Sequence, residues 1–294
     1  GIISGASFSY GSGIYNSGKM GDIINRGIII SDNGVGIYNY QGTIGDIRNT
    51  GVISGSGYGY GIYKSGTMKN IINAGIISGY GSGIWNAGTL KNIINTGVIS
   101  GTGSGIYNDS GTLGNIINAG IISGSGTSEG YGIINLGTLG DITNTGVIYG
   151  KDNAIMNYSG TIGTEKGTSN NYGILVNGSN NDVISGLDIA TSAGQNKLVN
   201  YGLIIKNGSE IVDKDSVQAK VNEDIKEYND NGTVKSIRKM TIKNETGSNS
   251  FTGNENDSIL NALKDTYNVI DTNNKVTGSI INAYGTAVIF RDTG

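Results

Sequence analysis

A two-part phrase recurs about every 22 to 27 residues from the N-terminus to roughly residue 162, and it limits the chain to a narrow class of folds. The first half reads Gly105-Ile106-Tyr107-Asn108 followed by Gly111-Thr112-Leu113; the second reads Ile93-Ile94-Asn95-Thr96-Gly97-Val98-Ile99-Ser100-Gly101. A fixed period of this length marks a solenoid, in which each repeat is one coil that buries its apolar face only by stacking on its neighbours. The first-half anchor falls at Ile14, Ile37, Ile62, Ile84, Ile106, Ile133 and Ile155, and the second-half anchor at Ile23, Ile47, Ile71, Ile93, Ile116 and Ile142. Within the second half like residues return at steps of two (Ile71, Asn73, Gly75, Ile77), which is strand spacing and not helical spacing. The expected fold is an all-β, right-handed parallel β-helix with three short strands per coil. Residues repeated in every coil point inward, each on its copy about 4.8 Å away.

Composition agrees where it can be tested. Proline is absent, whereas ordinary usage predicts roughly 15, and a residue that cannot donate to a ladder is expected to be excluded from stacked strands. With no cysteine and no histidine, disulfides, thiolate nucleophiles, zinc–thiolate sites and imidazole bases are impossible here. A net charge of −3 offers no basic stripe for nucleic acid, and no apolar run is long enough to span a bilayer. Gly1-Ile2-Ile3-Ser4-Gly5 reads as the tail of a second half, so the segment is expected to continue something longer.

Individual positions carry more specific expectations. The phrase Asn is expected to occupy a left-handed bend and to bond to its copy in the next coil. The Gly two residues later is expected to let the corner turn tightly. Lys64 stands in one Asn position, where the ladder should break or the side chain swing out. Gln41, Ser110 and Ser159 mark one-residue insertions, read as bulges. The outward row Ile28, Val52, Ile76, Val98, Ile121, Val147 is apolar, so that side should be half buried or covered. Coils are expected over 1–205, regular to about 162 and degenerate after it. A charged excursion is expected over 206–277, with a hairpin at Asn231-Gly232 and a short helix from Ser258 to Tyr267. A returning coil is expected over 278–294, where Ile280-Ile281-Asn282 resembles the phrase.

The two phrases resemble the passenger domains of type V autotransporters, and most of all the very large Asn- and Gly-rich surface adhesins of Gram-negative anaerobes. The likeness is strong over 1–162 and weak at 198–204 and 278–290. It implies a right-handed parallel β-helix, export through an outer-membrane barrel that this segment lacks, and display on the bacterial surface. Family members include adhesins, proteases and esterases; the Gly-Asp-Ser-Gly motif of protease members does not occur here.

Three candidate sites follow from the residues. The first is an aromatic row after the first-half Ile: Tyr15, Tyr38, Tyr63, Trp85 and Tyr107, ended by Ile134 and Met156, with Tyr10, Tyr58, Tyr60, Tyr80 and Tyr131 in neighbouring loops. Tyr beside Ser and Gly is the chemistry of binding surfaces, although stacked rings also stiffen a sheet. The second is the acidic group Asp213, Asp215, Glu223 and Asp224, whose oxygens could bind calcium; without an EF-hand loop or Gly-Gly-x-Gly-x-Asp repeat it is read by default as a solvated loop, with a projecting protein-binding module as the alternative and no metal expected. The third, catalysis, finds no convergence: Asp22, Asp46 and Asp141 alternate with Asn70, Asn92 and Asn115 before the second-half Ile, which suits a turn. Asn177-Gly178-Ser179 and Asn207-Gly208-Ser209 match glycosylation acceptors by chance in so Asn-rich a chain.

The expectation is a non-catalytic, cofactor-free, monomeric adhesin segment. It would contact a host or partner-cell protein or glycan through Tyr15, Tyr38, Tyr58, Tyr60, Tyr63, Tyr80, Trp85 and Tyr107, without nucleic acid or membrane insertion. The rival readings are a structural shaft and, behind it, a carbohydrate-active enzyme.

Overall fold

The computed structural model describes residues 1–5, 11–127, 129–192 and 194–208; from Glu210 onward it describes only the backbone of seven strands between Glu210 and Arg291. The chain is all-β, without a helix among the described residues, and its coils stack as a parallel β-helix with three faces. Each coil contributes a first-half strand such as Ser82–Asn86 to an 8-stranded first face. A strand such as Thr89–Asn95 then joins a 14-stranded second face, and one such as Val98–Gly101 a 10-stranded third face. Pairing puts like on like: Ile62, Ile84 and Ile106 are partners in sequence, as are Asn73, Asn95 and Asn118.

Both anchor columns are fully buried from the second coil on, for example Ile37, Ile62 and Ile84, or Ile47, Ile71 and Ile93. Ile44, Met68, Leu90 and Leu113 form another inward column, and Ile53, Ile77 and Ile99 face them from the third face. Branched aliphatic side chains suit this interior, since each stacks on an identical shape one rung away.

The Asn columns are hydrogen-bonded ladders with one direction. Asn73 Nδ2 donates to Asn95 Oδ1 at 2.8 Å, and Asn95 Nδ2 to Asn118 Oδ1 at 2.8 Å. The same amide also donates to its own coil's Gly97 carbonyl and the next coil's Ile121 carbonyl. These buried amides therefore use spare acceptor capacity at the corners: the Gly97 carbonyl also accepts the Ile121 N–H of the next coil at 2.9 Å. The left-handed expectation fails for the phrase Asn: the described non-Gly residues with positive φ are Gln41, Asn196 and Asn207, none of them an Asn of the phrase, although Asn196 accepts from Asn157 Nδ2 at 3.3 Å where the column ends. The Gly column likewise needs no special φ. A Cβ on Gly75 would strike the Gly51 carbonyl of the preceding coil, and one on Gly97 the Gly75 carbonyl. Glycine serves the close approach of rungs.

Lys64 does not swing out, and the ladder is broken on one side of it only, between Asn39 and Lys64. The side chain is fully buried, and its Nζ donates to Asn86 Oδ1 at 2.7 Å. The column passes donors toward the C-terminus, so an amine can take the donor's place but offers Asn39 no acceptor. Asn39 bonds to the Gly42 and Thr67 carbonyls instead. Removal from water lowers the Lys64 pKa from 10.5 to about 7.

The insertions are corner residues and not bulges. Gln41, at φ 56, lies between strands Gly34–Asn39 and Thr43–Ile44, and both keep their register on the next coil. Along the outward apolar row burial rises toward the C-terminus: Ile28 and Ile76 are exposed, while Val147, Ile174 and Leu203 are buried. Coils persist to Leu203–Lys206, which pairs antiparallel with Glu210–Val212. Glu223–Tyr228 and Val234–Glu245 then pair antiparallel around 229–233, the hairpin geometry expected at Asn231-Gly232, although the turn itself lies outside the described residues. Ser258 to Thr266 of the expected helix lie outside them too, while Tyr267 begins a strand, Tyr267–Ile270. Val276–Ala283 and Thr286–Arg291, in the stretch read as a returning coil, pair antiparallel with each other in a separate 6-stranded sheet.

Candidate functional surface

Period-two alternation fixes the aromatic row. In Ile62-Tyr63-Lys64 the outer residues of the strand are buried and Tyr63 alone faces out, half exposed. In-register pairing then lays Tyr15, Tyr38, Tyr63, Trp85 and Tyr107 one above another. Ring centroids are 5.4 Å apart for Tyr15–Tyr38, 5.0 Å for Tyr38–Tyr63, 6.0 Å for Tyr63–Trp85 and 4.3 Å for Trp85–Tyr107. The first two pairs are edge-to-face and the later two tilted, both of which avoid eclipsed faces. Ile134 and Met156 continue the register and end the run of rings.

Loop residues divide into two groups. Tyr60 joins the row, 4.9 Å from Trp85 and 5.4 Å from Tyr63. Tyr58 and Tyr80 pack edge-to-face on each other at 5.7 Å and are more exposed, Tyr58 at 83%. Tyr10 lies outside the described residues. Tyr40, not singled out by sequence, stacks on Tyr15 at 6.5 Å and meets Tyr38 at 5.9 Å. Its position just past the phrase Asn, one corner from the row, was the available signal. Burial first, then neighbouring phenols, raises the pKa of Tyr38 and Tyr60; burial, then Asp109 and Glu129, raises that of Tyr107. Trp85 Nε1 is buried without a hydrogen-bond acceptor. Past Tyr107 the same face opens into a hollow of about 580 Å³ whose lining includes Glu129, Tyr131, Asp152, Met156, Asn181 and Asp182.

The dispersed carboxylates serve the corners. Asp22 Oδ1 accepts from the Asp46 backbone N–H at 2.8 Å, Asp46 Oδ1 from that of Asn70 at 3.2 Å, and Asn115 Oδ1 from that of Asp141 at 2.9 Å. Asp and Asn are interchangeable for this corner bond because it uses one side-chain acceptor; the second oxygen of Asp46 pairs with Arg48 at 3.1 Å. Asn177, of the first glycosylation-like tripeptide, is fully buried and bonded to the carbonyls of Asp152 and Asn181. Asp213 and Asp215 lie outside the described residues, as do the side chains of Glu223 and Asp224. Comparison with protein-family models, curated proteins and solved structures finds no match.

Proposed function

We propose that this chain is a segment of a bacterial surface adhesin of the autotransporter type, a rigid rod that contacts a host or partner-cell protein or glycan through its aromatic face. The observation that carries the reading is the half-exposed row of Tyr15, Tyr38, Tyr63, Trp85 and Tyr107, with Tyr60 and Tyr40 beside it. Such rings present amphipathic contact area whose rotamers are already held by their neighbours, so little side-chain entropy is lost on binding. The role needs no catalytic group, and the Asp22 and Asp46 carboxylates belong to a structural ladder along one corner.

The rival is a shaft that only holds a distal region away from the cell. It draws on the same rings, because edge-to-face packing between coils also stiffens the rod. Binding of the chain to cells, compared with a Tyr63→Ala/Trp85→Ala/Tyr107→Ala variant of unchanged circular dichroism, separates the two. Loss of at least tenfold in affinity supports the adhesive face; undiminished binding removes the aromatic row from the function, and no binding by either protein favours the shaft.

A further inference from the structure

On the third face the outward side changes character toward the C-terminus. Strand alternation puts Val98 and Ser100 outward around the buried Ile99, and register carries the serine column through Ser54, Ser78, Ser100 and Ser123. The same register then continues into Tyr149, Val176 and Ile205. Ile174-Leu175-Val176 and Leu203-Ile204-Ile205 are unbroken aliphatic runs, the pattern of strands buried on both faces.

Burial agrees with the sequence. The interior cluster takes in Ile148, Leu175 and Ile204, whereas Ile174, Val176, Leu203 and Ile205 stand outside it, yet none of the four is more than 1% exposed. Stacking between coils does not achieve this alone, since Val98 and Ile121 in the same outward row stay half-buried and Ile76 is 43% exposed. Glu210–Val212 pairs with Leu203–Lys206 at the sheet edge, so it extends the face without covering it. The stacked Tyr172 and Tyr201 lie four residues, about 13 Å of strand, before Val176 and Ile205. Because this burial exists within a single chain, the cover belongs to the same chain.

We propose that Tyr149, Ile174, Val176, Leu203 and Ile205 form an internal docking surface, covered by the separate 6-stranded sheet between residues 223 and 291. That sheet is a single layer, and a single layer has to bury an apolar face against another element. Its register offers one. Ile242 pairs with Phe251 and Phe251 with Val269; Tyr267, two residues before Val269, pairs with Ile280, and Ile280 with Ile289. These positions therefore share one side of the sheet. Sheets packed face to face stack about 10 Å apart. Ten residues, 213–222, connect Val212 to Glu223 and reach up to about 35 Å, whereas the three coils to be covered occupy about 10 Å of the rod. So short a tether also raises the local concentration of the sheet at this face. The charged excursion thus lies against the rod instead of projecting from it. The aromatic first face stays free, so the inference is independent of any adhesive role.

The test compares the full chain with Val176→Ser/Ile205→Ser, which installs the residue found at the equivalent Ser123 and leaves the interior untouched. Tryptic cleavage after Lys235, Lys239 and Lys243, followed by mass spectrometry, should quicken about tenfold or more in the variant, because an undocked sheet opens more often. The urea midpoint read at Trp85, several coils away, should stay that of wild type. Val98→Ser, on the open part of the same face, should leave the cleavage unchanged. If the double variant loses its circular dichroism spectrum, Phe251→Ser approaches the contact from the sheet and should raise binding of an apolar dye several-fold by uncovering the patch. Cleavage of the double variant at the wild-type rate, or dye binding by Phe251→Ser equal to that of wild type, would overturn the assignment. So would a wild-type dimer that the double variant converts to monomer, which would place a second copy on the patch.

Discussion

Replacing Lys64 by Asn should stabilise the rod, and by an amount that depends on pH. The wild-type amine is fully buried, and its one hydrogen bond is to Asn86 Oδ1. Its pKa falls from 10.5 to about 7; at 1.36 kcal/mol per pH unit the folded coil disfavours the charged form by roughly 5 kcal/mol. The direction follows from linkage. Between pH 7 and 10.5 the unfolded lysine carries a proton that the folded one does not, so wild-type stability rises with pH across that window and is flat below it, where both states are charged. The penalty is about 4 kcal/mol at pH 7 and about 2 kcal/mol at pH 9. The Lys64→Asn variant would carry none of it and would return to Asn39 the side-chain acceptor missing from the column. Trp85, the single tryptophan, lies in the coil directly after Lys64 and next to its partner Asn86, so its fluorescence reports this part of the rod. Urea unfolding followed at Trp85 at pH 6, 7, 8 and 9 should show a gain for Lys64→Asn that is nearly constant from pH 6 to 7 and shrinks by about half at pH 9. A gain that does not change with pH, or a variant less stable than wild type, would refute the reasoning.

Other perturbations have equally direct outcomes. Asn95→Ala removes the acceptor of Asn73 and the donor of Asn118 from a dry column, and should cost about 3–5 kcal/mol in chemical denaturation, far more than the same change at the end-coil residue Asn16. Gly97→Ala drives a methyl into the Gly75 carbonyl and should cost about 1–3 kcal/mol, whereas Gly18→Ala meets nothing within 4 Å and should lie within about 0.5–1 kcal/mol of wild type. Alkaline ultraviolet titration should show Tyr38, Tyr60 and Tyr107 ionising above free tyrosine, and the Tyr107 delay should shrink in Glu129→Gln, because one of its causes is that carboxylate.

The rungs were legible because stacking repeats one residue's environment coil after coil: Ile62, Ile84 and Ile106 share a single constraint, and alternation then puts Tyr63, Trp85 and Tyr107 on the opposite side. The Asn ladder was legible for the same reason. Its backbone was not, since an Asn can bond up a stack from either strand or left-handed geometry, and the structure uses the former at Asn73 and Asn95. Gly75 looked like a turn residue because its reason, the carbonyl of Gly51 one coil away, is a contact across 24 positions that no local pattern displays. Lys64 misleads through its charge: the sequence shows an ammonium-bearing residue, while the site accepts an amine whose donor matches the ladder's direction. Tyr40 escaped because its position, one past the phrase Asn, holds Ser65, Ala87 and Asp109 in the following coils, so no aromatic column marks it. Past about residue 162 the phrase decays, beyond Lys206 charge rises, and the periodic constraint that made the first coils readable is gone.

The central claim is that successive copies of the phrase lie directly on one another in parallel register. Spin labels on the outward column Lys19, Thr43, Thr67, Thr89, Thr112 and Thr138, whose members pair in that order, test it most directly, since the chain has no cysteine to remove. At about 4.8 Å per rung, a label pair at positions 43 and 138 spans four rungs or about 19 Å, and one at 19 and 138 spans five or about 24 Å. Pulsed electron–electron resonance should return narrow distributions that lengthen by one rung between those pairs, label linkers adding a common width. Distances that are broad, or that fail to grow with the number of intervening coils, would contradict the stacked β-helix.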